Sequence, residues 1–333
     1  MNSNSNSHSL HANQASQSDK DIDCIVCGSC VVDILCSPVC LDEPTGHGKL
    51  YQVDPITLCG GGITLNSGTI LARLGMKTGV FSYVGKDDWA PVVHRLLKNE
   101  GIDGSLLLTH PTDATSTTVV AIDPSGERSF FHCMGAPKKL DANAILDQLD
   151  VFKRSRMFLL GYYSLMPSLE VELPRVFAEL RKVGCMTAMD AAGDGGAMEP
   201  LDKILPHLDV YVPSLNEAEH QTGLSDPRKI IDVYRSCGAP GVLGVKLGTH
   251  GVVLSDKAGS YVDVPISTPP GDVLDTTGAG DSFYAGLIAG LLKGLSLEQA
   301  GRIGTAAGAC CVTARGGSAG GKDWAFTSKL AGV

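Results

Sequence analysis

The sequence predicts an α/β protein in which a mostly parallel sheet is covered on both faces and a small β-sheet projects as a lid. Three observations carry this. Runs with β character alternate with helical runs from residue 22 to about 313, the pattern of successive βαβ units. Of the 333 residues, 43% are hydrophobic and 19% charged, so a sizeable core can be buried. Strand-rich stretches near 49–58 and 106–133 break the alternation, and lid strands are expected from about 36–58 and 106–133.

The elements follow in order. Residues 1–20 (MNSNSNSHSLHANQASQSDK) are polar, with no apolar stretch, and read as a disordered tail rather than a signal or transit peptide. Residues 21–333 then form one α/β domain. Residues 22–35 are β-rich. Residues 66–74 have helical spacing, with Ile70, Leu71 and Leu74 apolar and Gly75 as a stop. A strand is expected over 77–84 and a helix over 88–99. Strands 116–123 and 127–133 are joined by Asp123-Pro124-Ser125-Gly126, a hairpin turn. Short strands follow at 156–160, 185–190 and 208–212, with a helix over 169–183. Three strands over 241–264 precede two long helices, 282–293 and 297–313.

Composition excludes several classes. The net charge of −9 argues against a nucleic-acid binder with a broad basic face. No apolar run approaches the roughly 18 residues of a membrane span. The 11 cysteines lie mostly in apolar runs, which with the missing signal indicates reduced thiols and a cytoplasmic protein. Cys24, Cys27 and Cys30 have metal-site spacing, but in a strand residues three apart point to opposite faces, so a buried strand is the better reading.

Chemistry concentrates in Asp275-Thr276-Thr277-Gly278-Ala279-Gly280-Asp281-Ser282-Phe283, which opens a helical run. Gly278 and Gly280 let backbone N–H groups approach a ligand, and the helix N-terminus adds partial positive charge, making an anion hole suited to phosphate. Asp281 stands at its mouth, as a base for phosphoryl transfer to a hydroxyl would. The plainer reading is a helix start with a favourable first-turn acid. A second segment, Gly60-Gly61-Gly62 leading to Asn66, suits close approach of a polyhydroxylated ligand. Residues 316–322 match the P-loop spacing, but Asp323 stands where a Ser or Thr should follow, and no long helix comes after.

Together these segments resemble the ribokinase-like (PfkB) family of carbohydrate kinases, from about residue 22 to about 318. The 275–283 segment is similar to the family's C-terminal signature. Gly61-Gly62, Asn66 and Gly75, then Val84-Gly85-Lys86-Asp87-Asp88, are similar to its N-terminal one. Asn216-Glu217-Ala218-Glu219 is similar to its Asn-x-x-Glu motif, and Val245-Lys246-Leu247-Gly248-Thr249 to its nucleotide strand-turn. The resemblance implies a three-layer α/β/α sandwich with a β lid, and ATP-dependent phosphorylation of a hydroxymethyl group with Mg2+. It implies Asp281 as general base and the amides of Gly278, Ala279 and Gly280 as the anion hole. Asp33, Gly61, Gly62 and Asn66 would bind the sugar. Asn216, Glu219, Lys246, Gly248 and Thr305 would serve the nucleotide, with Glu219 ordering water on Mg2+. Asp275 and Thr277 match a loop that in some members binds a monovalent cation such as K+.

Two departures bear on the substrate. Gly62-Ile63-Thr64-Leu65-Asn66 lacks the usual small residue before the Asn. Tyr162 stands in Gly161-Tyr162-Tyr163, where many relatives carry an acid, and this changes which hydroxyls can be recognised. Arg128 and His132 are lid candidates for substrate contact. A nucleoside kinase of the same family, a catalytically silent sugar or nucleotide sensor, and a structural partner acting through the lid remain as alternatives. The low aromatic content favours a sugar over a nucleoside, and an unpaired lid edge points to a homodimer through the lid sheet.

Overall fold

Thirteen strands fall into two sheets among the residues described by the computed structural model, which are 20–42, 46, 48–193 and 195–333. The expected tail lies outside them except for Lys20, whose Nζ donates to the carbonyls of Ser155 and Gly184. The strands are β1 (Ile22–Gly28), β2 (Val31–Cys36), β3 (Thr57–Gly61), β4 (Thr78–Val84), β5 (Leu107–Thr109), β6 (Ser116–Ile122) and β7 (Arg128–Cys133). They continue with β8 (Ser155–Gly161), β9 (Met186–Asp190), β10 (Val210–Tyr211), β11 (Val242–Lys246), β12 (Val252–Ser255) and β13 (Val262–Val264).

Helices of eight residues or more are α1 (Gly62–Arg73), α2 (Ala90–Asn99), α3 (Leu173–Lys182), α4 (Leu215–Thr222) and α5 (Pro227–Ser236). Then come α6 (Ala279–Leu292), α7 (Leu297–Cys311) and α8 (Trp324–Ala331).

The large sheet runs β13-β12-β11-β10-β9-β8-β1-β4-β5 and is parallel from β11 to β5, with β12 and β13 antiparallel at one edge. Strand alternation divides its core. Ile25 and Cys27 of β1 join the cluster formed with α3 and α5, whereas Cys24 and Val26 join the one formed with α1, α6 and α7. This is the α/β/α sandwich. It also separates the cysteines: Cys24 and Cys27 lie on opposite faces, and Cys30 lies in a third cluster. Burial pushes all three thiols up, Cys30 to about 11, so they are inert core residues. Helix α6 is apolar almost all round and is buried accordingly between the sheet, α1 and α7.

The small sheet runs β3-β2-β6-β7. Of the described residues in the expected lid stretch 36–58, only Cys36, Thr57 and Leu58 lie in strands, and the sheet differs from expectation in two further ways. The β-rich run 22–35 is two strands, because the chain leaves the large sheet after Gly28 and enters the lid at Val31. The segment near residue 106 supplies β5, an edge strand of the large sheet. A mostly apolar run, interrupted at that point only by Gly28-Ser29, hid the first switch, since periodicity does not reveal which sheet a strand joins. No helix among the described residues is long and apolar enough to cross a membrane.

Candidate active site

The carboxyl edge of the large sheet and the N-terminus of α6 meet at Asp281. Gly278 caps α6 in the left-handed conformation, at φ 74°. Among the described residues no backbone acceptor takes the amides of Gly280 and Asp281, whereas the amide of Ala279 closes a turn onto the Thr276 carbonyl at 3.2 Å. Two free donors at a helix N-terminus are chemically suited to accept an anion. Ala279 was expected to share that role, but its N–H is engaged in the turn.

Asp281 is buried, and its Oδ2 accepts hydrogen bonds from Asn66 Nδ2 at 2.8 Å and from the Tyr162 hydroxyl at 2.7 Å. Burial raises its pKa above the ordinary carboxylate range. The Tyr162 and Asn66 bonds and the charge of Lys246 pull it partly back, while Glu217 adds to the rise. Helix α1 starts at Gly62, one turn earlier than expected, so Asn66 sits on its second turn facing α6 rather than at a helix start. Asn66 Oδ1 is buried without a partner. Ser67 Oγ donates to the Asp281 carbonyl at 2.9 Å and pins the same turn.

Tyr162 is in the left-handed region at φ 61°. That conformation costs a non-glycine residue about 1–2 kcal/mol and is retained where surroundings over-determine it. Its amide donates to the Asp190 carbonyl at 3.0 Å and its hydroxyl reaches Asp281.

Behind Asp281 lies a buried charge cluster. Lys246, at the end of β11, donates to Asp190 Oδ1 at 2.9 Å. Burial raises Asp190 to about 7 against the pull of Lys246. Burial lowers the Lys246 pKa, but Asp190 and Glu217 outweigh it and hold the ammonium charged. Glu217 is the third residue of a capping box with Ser214 at the start of α4, and its carboxylate accepts from the Ser214 amide at 2.6 Å.

Beside this cluster is a cavity of about 530 Å³ lined by Lys246, Gly248, Ala279, Gly280 and Thr305 together with apolar side chains. Five residues singled out from the sequence therefore share one cavity. Thr305 shares a hydrogen bond with Ser267 at 3.1 Å.

The lid contributes a polar row. Asp33 pairs in register with Thr118, which pairs with His132, and Thr118 Oγ1 lies 3.0 Å from His132 Nδ1. Burial raises the Asp33 pKa, with Thr118 and His132 opposing. A Cβ on Gly61 would stand 2.1 Å from Asp33 Oδ2, so only glycine leaves room for that carboxylate. Arg128, two positions along the same face of β7 from Phe130 and four from His132, donates to Asp275 Oδ1 and Thr277 Oγ1. This contact turns the Asp33 face of the lid toward α6.

A profile of the pfkB family of carbohydrate kinases matches residues 22–324. The chain belongs to this family. It is a carbohydrate kinase. Among its pfkB relatives, the chain is 28% identical over 298 residues to the ribokinase of Haemophilus influenzae (strain ATCC 51907 / DSM 11121 / KW20 / Rd), covering 87% of this chain and 92% of the relative. It is 28% identical over 313 residues to the fructokinase of Escherichia coli, covering 87% and 93%. The solved structure of Arabidopsis thaliana ribokinase complexed with ribose and ATP superposes with a TM-score of 0.81 at 22% identity, covering 94% of this chain and 99% of that one, and so shares the fold.

Within this kinase Lys246, Gly248, Ala279, Gly280 and Thr305 line one cavity, and Asp281, bonded to Asn66, follows Gly280 on the helix that Gly278 caps. Asn216 is exposed and Glu219 half-buried on α4, and the carboxylate of that segment whose charge reaches Asp281 is Glu217. Sequence reasoning missed Asp190, Glu217 and the bond from Tyr162 to Asp281. Asp190 had a usable signal: it ends a predicted strand, at the edge where open α/β sheets bind ligands. The 316–321 stretch, set aside as a false P-loop, walls the site. Gly316 N donates to Asp275 at 2.9 Å, Arg73 bonds the carbonyls of Ser318 and Gly321, and Gly317 packs on Asn66.

Proposed function

We propose that this kinase transfers the γ-phosphoryl group of ATP to a primary hydroxyl of a small sugar, a pentose, hexose or sugar acid. The observation that carries the reading is the buried Asp281 carboxylate, held through Oδ2 by Asn66 and Tyr162, in the same helix turn as the free amides of Gly280 and Asp281 beside the nucleotide-sized cavity. The substrate oxygen attacks the γ-phosphorus in line as the bond from phosphorus to the β–γ bridging oxygen breaks. Its proton passes to Asp281 Oδ1, and ADP leaves. The amides of Gly280 and Asp281, with Gly278 shaping the turn, receive the negative charge of the transferred group. Asp33, with Gly61 against it, fixes the sugar together with Gly62 and Asn66. Lys246, Gly248 and Thr305 line the nucleotide.

The donor set at α4 fits Mg2+. Asn216 and Glu219 offer oxygen atoms on a helix that begins at the carboxyl end of β10, and the Ser214 bridge to Lys246 sets it beside the cavity. When bound with ATP, Mg2+ supplies positive charge along the phosphates, with Glu219 ordering its water.

A nucleoside acceptor is the second reading. Phe130 lies on the same lid face as His132 and Arg128 and is 58% exposed, so an aromatic is available for a base to stack on. An ADP-release assay with Mg-ATP decides between them. The panel is ribose, fructose and other ketoses, 2-keto-3-deoxygluconate, sugar phosphates, and adenosine and other nucleosides. Turnover is expected with one sugar class; turnover with nucleosides alone selects the second reading, and silence with retained ATP binding selects a sensor.

The opposite lid face carries a cross-strand row, Leu58–Ile34–Val119–Phe131, with Phe131 64% exposed. We assign this face to a second copy of the chain, with the apolar row as its contact. Light scattering is expected to give a dimer that Phe131→Asp converts to monomer, and a monomeric wild type would refute it.

A further inference from the structure

We propose that Arg128 supplies from within the chain the positive charge at the Asp275–Thr277 loop that some relatives take from a monovalent cation, so that this kinase works without K+ and its lid is latched by the same contact. The inference rests on the kinase reading above and concerns the loop that carries the anion hole.

The loop's oxygens are spent. Asp275 Oδ1 accepts from the Arg128 guanidinium and from the Thr277 amide at 2.8 Å, and Oδ2 accepts from the Gly316 amide at 2.9 Å. Thr277 Oγ1 takes a second bond from the same guanidinium. Asp275 is buried, and Arg128 is largely covered, with 25% of its side chain exposed. A potassium ion needs several of these oxygens facing it, and in a site of reduced dielectric a second cation beside the guanidinium would be repelled. Burial alone would raise the Asp275 pKa, yet the Gly316 and Thr277 bonds and the Arg128 charge hold it below the usual carboxylate range. The loop thus has one buried anion and one cation already in place.

The placement adds a consequence. Arg128 begins β7, one of the two edge strands of the lid, and Thr277 immediately precedes Gly278. Cys311 Sγ lies 3.4 Å from the Thr277 carbonyl and 3.3 Å from the Gly317 carbonyl, tying the loop to the wall of the site. Closing the lid therefore completes the charge balance of the turn that receives phosphate. Arg128 is a positioning residue: it acts on the anion hole through Asp275 and Thr277.

The test compares KCl with tetramethylammonium chloride at equal ionic strength, on full-length protein. Two readouts are taken: the dissociation constant of Mg-ATP by calorimetry and the initial rate on the accepted substrate. The wild type is expected to give the same values in both salts. Arg128→Ala in tetramethylammonium is expected to lose about tenfold in one or both readouts, and K+ is expected to restore part of the loss by entering the emptied loop. Arg128→Gln, which keeps a donor but no charge, serves if the alanine variant is poorly folded by circular dichroism. A wild type stimulated severalfold by K+, or variants indifferent to both salts, would overturn the proposal. If no acceptor on the panel is phosphorylated, the calorimetric comparison still decides the loop's cation, so failure of the kinase reading is told apart from failure of this one.

Discussion

Asp281→Asn is expected to lower kcat by about 10²–10⁴-fold, the range attributed to a positioned proton acceptor, while Mg-ATP affinity measured by calorimetry stays near that of the wild type. The substitution is nearly isosteric, and Asn can still accept the bonds that Asn66 and Tyr162 donate to Oδ2. It removes the charge that makes the oxygen basic. Near-normal turnover would end the assignment. The pH dependence has a worked sign. Asp281 must be ionised to take the proton, and burial raises its pKa, so the acid limb of kcat/KM is expected above the ordinary carboxylate range. The Tyr162 hydroxyl stabilises the ionised form. Tyr162→Phe removes that donor, raises the Asp281 pKa further and moves the acid limb to higher pH, whereas Asp281→Asn has no such limb.

The 275–283 segment was legible because its chemistry is local: glycines, a helix start and an acid within nine residues. The sandwich was legible because alternation of strands and helices is a long-period signal. The partners of Asp281 were not. Tyr162 reaches it across 119 residues of chain and Asn66 across 215, and Lys246 meets Asp190 across 56. The Lys246–Asp190 contact is made by sheet order, β9 beside β10 beside β11, and the Asn66–Asp281 contact by the packing of α1 on α6, neither of which periodicity encodes. From the sequence Tyr162 is a departure that alters substrate hydroxyl recognition; the structure shows its hydroxyl on the Asp281 carboxylate. Arg128 reads from the sequence as a candidate for substrate contact, and the structure shows it bonding the loop before Gly278. In both cases the residue was visible and its partner was not. The lid shows the same limit: its strands were recognised as β, but Val31–Cys36 continues so closely from Ile22–Gly28 that only tertiary pairing separates them.

Gly278→Ala is expected to damage both stability and turnover, and a neighbouring substitution separates the two. At φ 74°, a Cβ costs about 1–2 kcal/mol in backbone conformation. The same Cβ would lie 2.0 Å from the Gly317 carbonyl oxygen, so either α6 or the 316–318 wall must move, which adds about 1–3 kcal/mol of overpacking. Moving α6 displaces the amides of Gly280 and Asp281 from the position the proposed mechanism requires, and loss of one such donor is expected to lower kcat about 10²–10³-fold. The variant should therefore melt several degrees lower and turn over poorly. Gly280→Ala is the control. Gly280 is the second residue of α6, and its φ is not positive, so alanine adopts its backbone conformation without strain. Its Cβ would meet only Lys246 Nζ, at an ordinary 3.5 Å. This variant should be at least as stable as the wild type, yet its methyl group occupies the mouth between Lys246 and the free amides, so Mg-ATP turnover should still fall. If Gly280→Ala were stable and fully active, phosphate would not approach that turn. The anion hole would then have to be sought elsewhere along the cavity, even with Asp281 retained as the base.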